Sequence, residues 1–190
     1  MLASLAVALT TPALAFAQAS IELCPGSNQG ADCPGLIEME VKDVIPLPQA
    51  QTHAVVLISK DHATVLPIFV DDAAAVAIAF RLAHRSPPEP LSQDLLDRMV
   101  AQLGGTVTSV RIDDVHEHLF LSHVFLRQGR KRFGLDAKPS DAVSMALAGR
   151  ARIWATRTGV NESGISRQEI NALKNETAWG VGGSGDDISL

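Results

Sequence analysis

The stretch Ala54-Val55-Val56-Leu57-Ile58-Ser59-Lys60-Asp61-His62-Ala63-Thr64-Val65-Leu66-Pro67-Ile68-Phe69-Val70-Asp71-Asp72 decides the fold class. Two apolar runs, Ala54 to Ser59 and Ala63 to Val70, flank the polar triplet Lys60-Asp61-His62, and together they read as a β-hairpin. So short a link joins antiparallel neighbours only, because parallel strands need a crossover of roughly a dozen residues or more. Asp71-Asp72 then opens an alanine-rich helix to about His84, with its acidic residues where the helix dipole favours negative charge.

Upstream of this stretch, Leu36 to Val44 alternates Ile37, Met39 and Val41 with Glu38, Glu40 and Lys42, the period of a half-buried strand. Downstream, Ser86-Pro87-Pro88-Glu89-Pro90 stops the first helix and Ser92 is placed to cap a second. Leu95, Leu96, Met99, Val100 and Leu103 form one stripe of that helix before Gly104-Gly105 ends it. Strands are expected at 106–113, 119–126 and 131–136, then a helix from Ser140 to Ala148 closed by Gly149. A last strand is expected from Ile153 to Thr156 and a terminal helix from Ser166 to about Thr177, with a mobile acidic end beyond. The order specifies an α+β fold: a single compact domain with a largely antiparallel mixed sheet and packed helices. Asp71-Asp72-Ala73 with Ala77 and Ala79 echoes Ser140-Asp141-Ala142 with Ala146 and Ala148, which suggests a duplicated strand-strand-helix unit.

At 190 residues with 46% hydrophobic content, the chain can build one core, which excludes a fibrous or wholly disordered protein. Sixteen Lys and Arg against twenty-one Asp and Glu leave a charge of −5, so any polyanion site must be local. Aromatics are 4% with no Tyr, which argues against a platform of exposed rings for stacked bases.

The organisation reads as a signal peptide over 1–19, a cysteine-containing leader over 20–35, a main domain over 36–163 and a C-terminal helix and tail over 164–190. Leu2 to Leu9 is apolar, Pro12 breaks the run, and Ala15-Phe16-Ala17 supplies a small-residue cleavage site, with cutting after Ala17 or Ala19. The expected location is periplasmic or secreted. No charge precedes Glu22, so a true start further upstream and a plain buried helix both stay open. The apolar run falls short of the roughly 20 residues that cross a bilayer, so no stable membrane anchor is expected. In an oxidising compartment Cys24 and Cys33 are expected to pair, which would contribute about 2–3 kcal/mol by restricting the unfolded chain. Two unpaired thiols in a leader are the alternative.

Three separated segments carry a family resemblance: Val65-Leu66-Pro67-Ile68, Pro90-Leu91-Ser92-Gln93-Asp94-Leu95-Leu96, and Leu135-Asp136-Ala137-Lys138-Pro139-Ser140-Asp141-Ala142. At these separations the chain resembles the bifunctional nuclease family from about Leu36 to Ser163, and the last segment is the most specific. The resemblance implies a compact α+β unit that cleaves DNA and RNA. The chain departs from the family pattern at four polar positions. Ala74 replaces a helix Glu, Glu89 an Arg, Gln93 a His and Lys138 an Arg.

The residues of the last motif have a chemistry of their own. Asp136 ends a strand and Asp141 begins a helix, so their carboxylates are expected to converge on a divalent cation, Mg²⁺ or Mn²⁺, that activates water. Lys138 would neutralise phosphoryl charge beside the N–H groups of the helix start, Ser140 belongs to the same turn, and Asp94 is a further ligand or orienting group. The competing reading makes Ser140 and Asp141 ordinary caps and Pro139 an ordinary first-turn residue. Eight basic residues between 127 and 157 oppose only Asp136 and Asp141, and Arg127, Arg130, Lys131 and Arg132 cluster at a hairpin turn suited to phosphate or simply to solvent. His116 and His118, two apart on a strand, could chelate a metal, with His123 expected to project on the opposite parity. Two function classes result: a metal-dependent nuclease acting on DNA or RNA, compatible with a homo-oligomer, and a non-catalytic exported binding protein on the same fold.

Overall fold

A computed structural model describes residues 35–116 and 119–166. The signal segment, the Cys24–Cys33 pairing and the expected terminal helix beyond Ser166 lie outside the described residues. The elements run β1 (Leu36–Leu47), β2 (Thr52–Ser59), β3 (Thr64–Val70), α1 (Asp72–Leu82), α2 (Ser92–Gln102), β4 (Gly105–His116), β5 (Leu119–Gln128), β6 (Lys131–Ala137), α3 (Pro139–Gly149), β7 (Arg152–Thr156), α4 (Arg157–Ser163) and β8 (Ile165–Ser166). A short 3₁₀ turn at Pro48–Ala50 links the first two strands.

One eight-stranded sheet has the order β6-β5-β4-β7-β1-β2-β3-β8. The meanders β1-β2-β3 and β4-β5-β6 are both antiparallel, and β7 seats between them, antiparallel to β1 and parallel to β4. Position and direction are both reversed between the meanders, as a two-fold axis normal to the sheet near β7 would require. The internal echo is therefore real in topology, but its unit is a three-stranded meander plus helix. Its alignment also differs from the one the sequence suggests. The helix N-caps are Asp71 and Lys138, which makes Ala74 the counterpart of Asp141.

Alternation along the strands sends Val55, Leu57, Leu66, Ile68, Val110, Ile112, Val124 and Leu126 into one core with α1 and α3. The helices meet the sheet through Ala74, Ala75, Ile78, Ala142, Val143 and Ala146, all buried. Small side chains let the two helices lie close to the strands and to each other.

Local details revise several expectations. Asp71 does cap α1, its side chain accepting from the Ala74 N–H at 2.9 Å. Leu91 rather than Ser92 is the N-cap of α2, and Arg150, with φ of 51°, takes the left-handed turn after α3 in place of Gly149. The strand ending at Thr156 is not the last, because α4 follows it at once and Ser166 closes β8 against β3. Thr156 caps α4 through the Gly159 N–H at 3.2 Å, a Thr-x-x-Gly signal that the apolar pattern alone does not reveal.

Candidate active site at a three-helix junction

The last turn of α1 and the first turns of α2 and α3 meet above the sheet. Arg81, its side chain 11% exposed, donates from Nη1 to the Ser144 carbonyl at 2.5 Å and from Nη2 to Asp94 Oδ1 at 3.1 Å and Asp97 Oδ2 at 2.6 Å. One guanidinium thus fastens all three helices. Asp94 Oδ2 accepts the Leu91 N–H at 2.8 Å, which closes the start of α2. Both Asp94 oxygens are engaged, so Asp94 is a positioning residue rather than an open ligand.

The two carboxylates are driven in opposite directions. The Leu91 N–H, with help from Arg81, holds Asp94 below the ordinary carboxylate range, whereas burial raises Asp97 despite Arg81. A lowered folded-state pKa means that the unfolded chain binds the proton more readily. The contribution of Asp94 is therefore present above the ordinary carboxylate pKa and fades as pH falls through and below it. Asp94→Asn should cost stability at pH 7 and progressively less below about pH 4, as urea unfolding at the two pH values would reveal. An equal cost at both would contradict the assignment.

Asp141 lies beside this ion network. Gln93 Nε2 donates to Asp141 Oδ1 at 3.5 Å across 48 residues of sequence, which brings two of the three family-like motifs into contact. Lys138, an exposed residue, is the N-cap of α3 without a side-chain cap bond, so neither Ser140 nor Asp141 caps the helix. Ser140 is buried in its first turn. Ala74, the positional counterpart of Asp141 in α1, is buried and offers no second carboxylate. A cavity of about 470 Å³ adjoins the junction, lined among others by Phe80, Arg81, Pro87, Asp97 and Arg98.

Asp136 does not join Asp141. Val124 and Leu126 of β5 enter the helix-side core, so His123 points to the reverse side of the sheet, and the register sets Asp136 directly opposite it. His123 Nε2 lies 3.1 Å from Asp136 Oδ1, and Nδ1 contacts Asp113, which Arg111 holds at 2.5 Å. The expected convergence of Asp136 and Asp141 fails because the strand's alternation and the helix that follows send them to opposite sides of the sheet. Among the described residues no group of three or more His, Cys, Asp or Glu is arranged to hold a metal ion. The side chains of His116 and His118 lie outside the described residues.

Arg127 and Arg132 pair across β5 and β6 on the side that carries His123, and Arg130 and Lys131 occupy the exposed turn end. Sequence reasoning missed Arg81, Asp97, Arg111 and Asp113. Gln93, Asp94 and Asp97 do carry a signal: their i, i+1, i+4 spacing marks one polar face of α2, and the contacts with Arg81 and Asp141 turn it inward.

The profile of the bifunctional nuclease domain matches residues 55–168. The chain belongs to the bifunctional nuclease domain family. This bifunctional nuclease domain is 30% identical over 122 residues to an uncharacterized protein of Mycobacterium tuberculosis, covering 64% of this chain and 73% of that one. It is also 27% identical over 120 residues to "Bifunctional nuclease 1" of Oryza sativa, covering 61% of this chain and 36% of the rice protein. Residues 55–168, matched by the family profile, take in all three of the motif segments.

Proposed function

We propose that this bifunctional nuclease domain hydrolyses phosphodiester bonds of DNA or RNA at the α1-α2-α3 junction. The observation that carries the reading is the contact between Gln93 and Asp141, which joins family-like motifs while leaving Asp141 unspent on helix capping. Asp141 takes a proton from the attacking water as its oxygen bonds to phosphorus and the bond to the leaving sugar oxygen breaks. Gln93 orients that carboxylate, and Lys138 together with the first-turn N–H groups of α3 meets the developing negative charge. A Mg²⁺ or Mn²⁺ requirement is a separate proposal, since Asp136 and Asp141 do not form one donor set. The decisive assay offers single- and double-stranded DNA and RNA to the purified chain with either cation and with chelator. Absence of any product under all conditions would sink the reading.

A binding protein on the same scaffold is the second reading, favoured by Ala74, Glu89 and Gln93 at positions where the family resemblance implies a carboxylate, an arginine and a histidine. Nucleic acid has a place in both readings. Arg127 and Arg132 stand opposite each other, and like charges directly paired across strands are unfavourable unless an anion lies between them. Charge reversal at Arg130 and Arg132 should weaken binding to all sequences alike and flatten its salt dependence, by about one unit of slope for every phosphate that the variant no longer neutralises. Titrations at several salt concentrations test this, and an unchanged slope would remove the hairpin from the interface.

A further inference from the structure

The chemistry proposed at Asp141 makes no use of the cavity of about 470 Å³ beside the junction. The turn that closes α1 builds one of its walls. There the His84 N–H donates to the Arg81 carbonyl at 3.1 Å and the Arg85 N–H to the Phe80 carbonyl at 2.9 Å, while His84 takes the left-handed conformation with φ of 51°. This paired closure of a helix end folds Arg85 back onto the turn that carries the half-buried Phe80. Pro87, Pro88 and Pro90 continue the wall, and their locked φ angles leave its shape largely preformed. Arg98 enters the lining from α2. Among the described residues no carboxylate lies within ion-pair distance of Arg85 or Arg98, and the two lining aspartates, Asp94 and Asp97, are both taken by Arg81. Glu89 is exposed and outside the lining. The cavity therefore joins a net positive charge to an apolar wall.

We propose that this cavity is a nucleotide subsite, in which Arg85 and Arg98 hold a phosphate and Phe80 with the proline rim packs against the base. The choice of a nucleotide rests on the phosphodiesterase reading of the junction; the charge and the shape are independent of it. Two guanidiniums without carboxylate partners match a dianionic phosphate better than a single carboxylate, since their planar N–H forks meet its oxygens two at a time. An aromatic ring accepts any base, because every base has a π face. A volume of about 470 Å³ lies within the roughly 300–1,000 Å³ of small-molecule sites. Position agrees with chemistry. Asp94 lines the cavity and follows Gln93 in the first turn of α2, so the subsite and the Gln93–Asp141 contact share one turn. A strand whose scissile phosphate meets Asp141 thus places a neighbouring nucleotide in the cavity, where Arg85 and Arg98 grip a phosphate that is not cut.

Isothermal titration calorimetry of the full chain with adenosine monophosphate, a ligand that has no phosphodiester bond to cut, tests the proposal. Saturable binding is expected, with uridine monophosphate within about threefold and adenosine and inorganic phosphate each weaker by about tenfold or more. Arg85→Glu and Arg98→Glu should each raise the Kd for adenosine monophosphate by about tenfold or more. Lys42→Glu, an equal change of charge at an exposed site on β1, should leave it within about twofold. Should either reversal fail to fold, photolabelling decides: an azido analogue of adenosine monophosphate should attach within residues 77–98, located by mass spectrometry, and excess unlabelled nucleotide should prevent it. No saturable binding, phosphate bound as tightly as the nucleotide, a Kd indifferent to both reversals, or a label placed elsewhere would each overturn the subsite. The phosphodiesterase reading fails separately. A chain that binds the nucleotide in this way yet cleaves no nucleic acid keeps the subsite, and one that cleaves without binding it loses the subsite alone.

Discussion

Replacing Asp141 by asparagine is expected to slow phosphodiester cleavage by about 10²-fold or more while leaving the domain folded. The side chain is half-buried, its partner among the described residues is the Gln93 amide, and a neutral amide can keep that hydrogen bond. What the substitution removes is the negative charge and the proton acceptor. The folding cost is the loss of a favourable charge in the first turn of α3, about 0.3–1 kcal/mol, or a few degrees in Tm. Rate and Tm measured on the same variant separate the alternatives: full activity with reduced stability would make Asp141 structural. Asp136→Asn supplies the comparison. Because Asp136 faces His123 across the sheet from the junction, a 10²-fold loss there with none at Asp141 would move the chemistry to the reverse side.

Much of the fold is legible in the sequence because hairpin links leave few topologies open. Lys60-Asp61-His62 and Gln128-Gly129 specify two antiparallel pairs, and the Asp71 cap appears where the paired aspartates suggest. Helix α4 and β8 are illegible because a seven-residue helix beginning directly after a strand has neither a full apolar period nor a separating turn. The stripe on α2 is plain as a pattern, but periodicity gives the spacing of apolar residues and not the direction in which they face. Arg81 settles that direction: once Asp94 and Asp97 turn inward to meet it, Leu95 and Met99 must turn out.

The candidate site is legible in part for a similar reason. Motif proximity in sequence suggests that Asp136 and Asp141 act together, yet the strand ends between them. A carboxylate's side of the sheet is set by strand parity, which the buried Val124 and Leu126 fix for β5 and hence for its partner β6. Gln93 and Asp141, 48 residues apart, have no local signal of contact. Only the shared family motifs hint at it.

Arg81→Met should have the largest effect on stability, about 3–5 kcal/mol at pH 7. Methionine keeps much of the packing of the arginine stem, so the loss isolates the guanidinium. Without it the Ser144 carbonyl, Asp94 and Asp97 lose their shared donor, and Asp97 becomes a half-buried charge with no cation against it. Burial already raises the Asp97 pKa, and Arg81 is what opposes the rise. Removing Arg81 therefore drives it higher. A folded-state pKa above the unfolded value adds stability below the unfolded pKa and loses it as pH rises through the folded one. The variant's deficit should accordingly be smaller near pH 4 than at pH 7, as paired urea titrations would show. A loss under about 1 kcal/mol at pH 7 would mean that the ion network does not fasten the three helices. The closeness of Gln93 to Asp141, on which the proposed chemistry depends, would then need another cause.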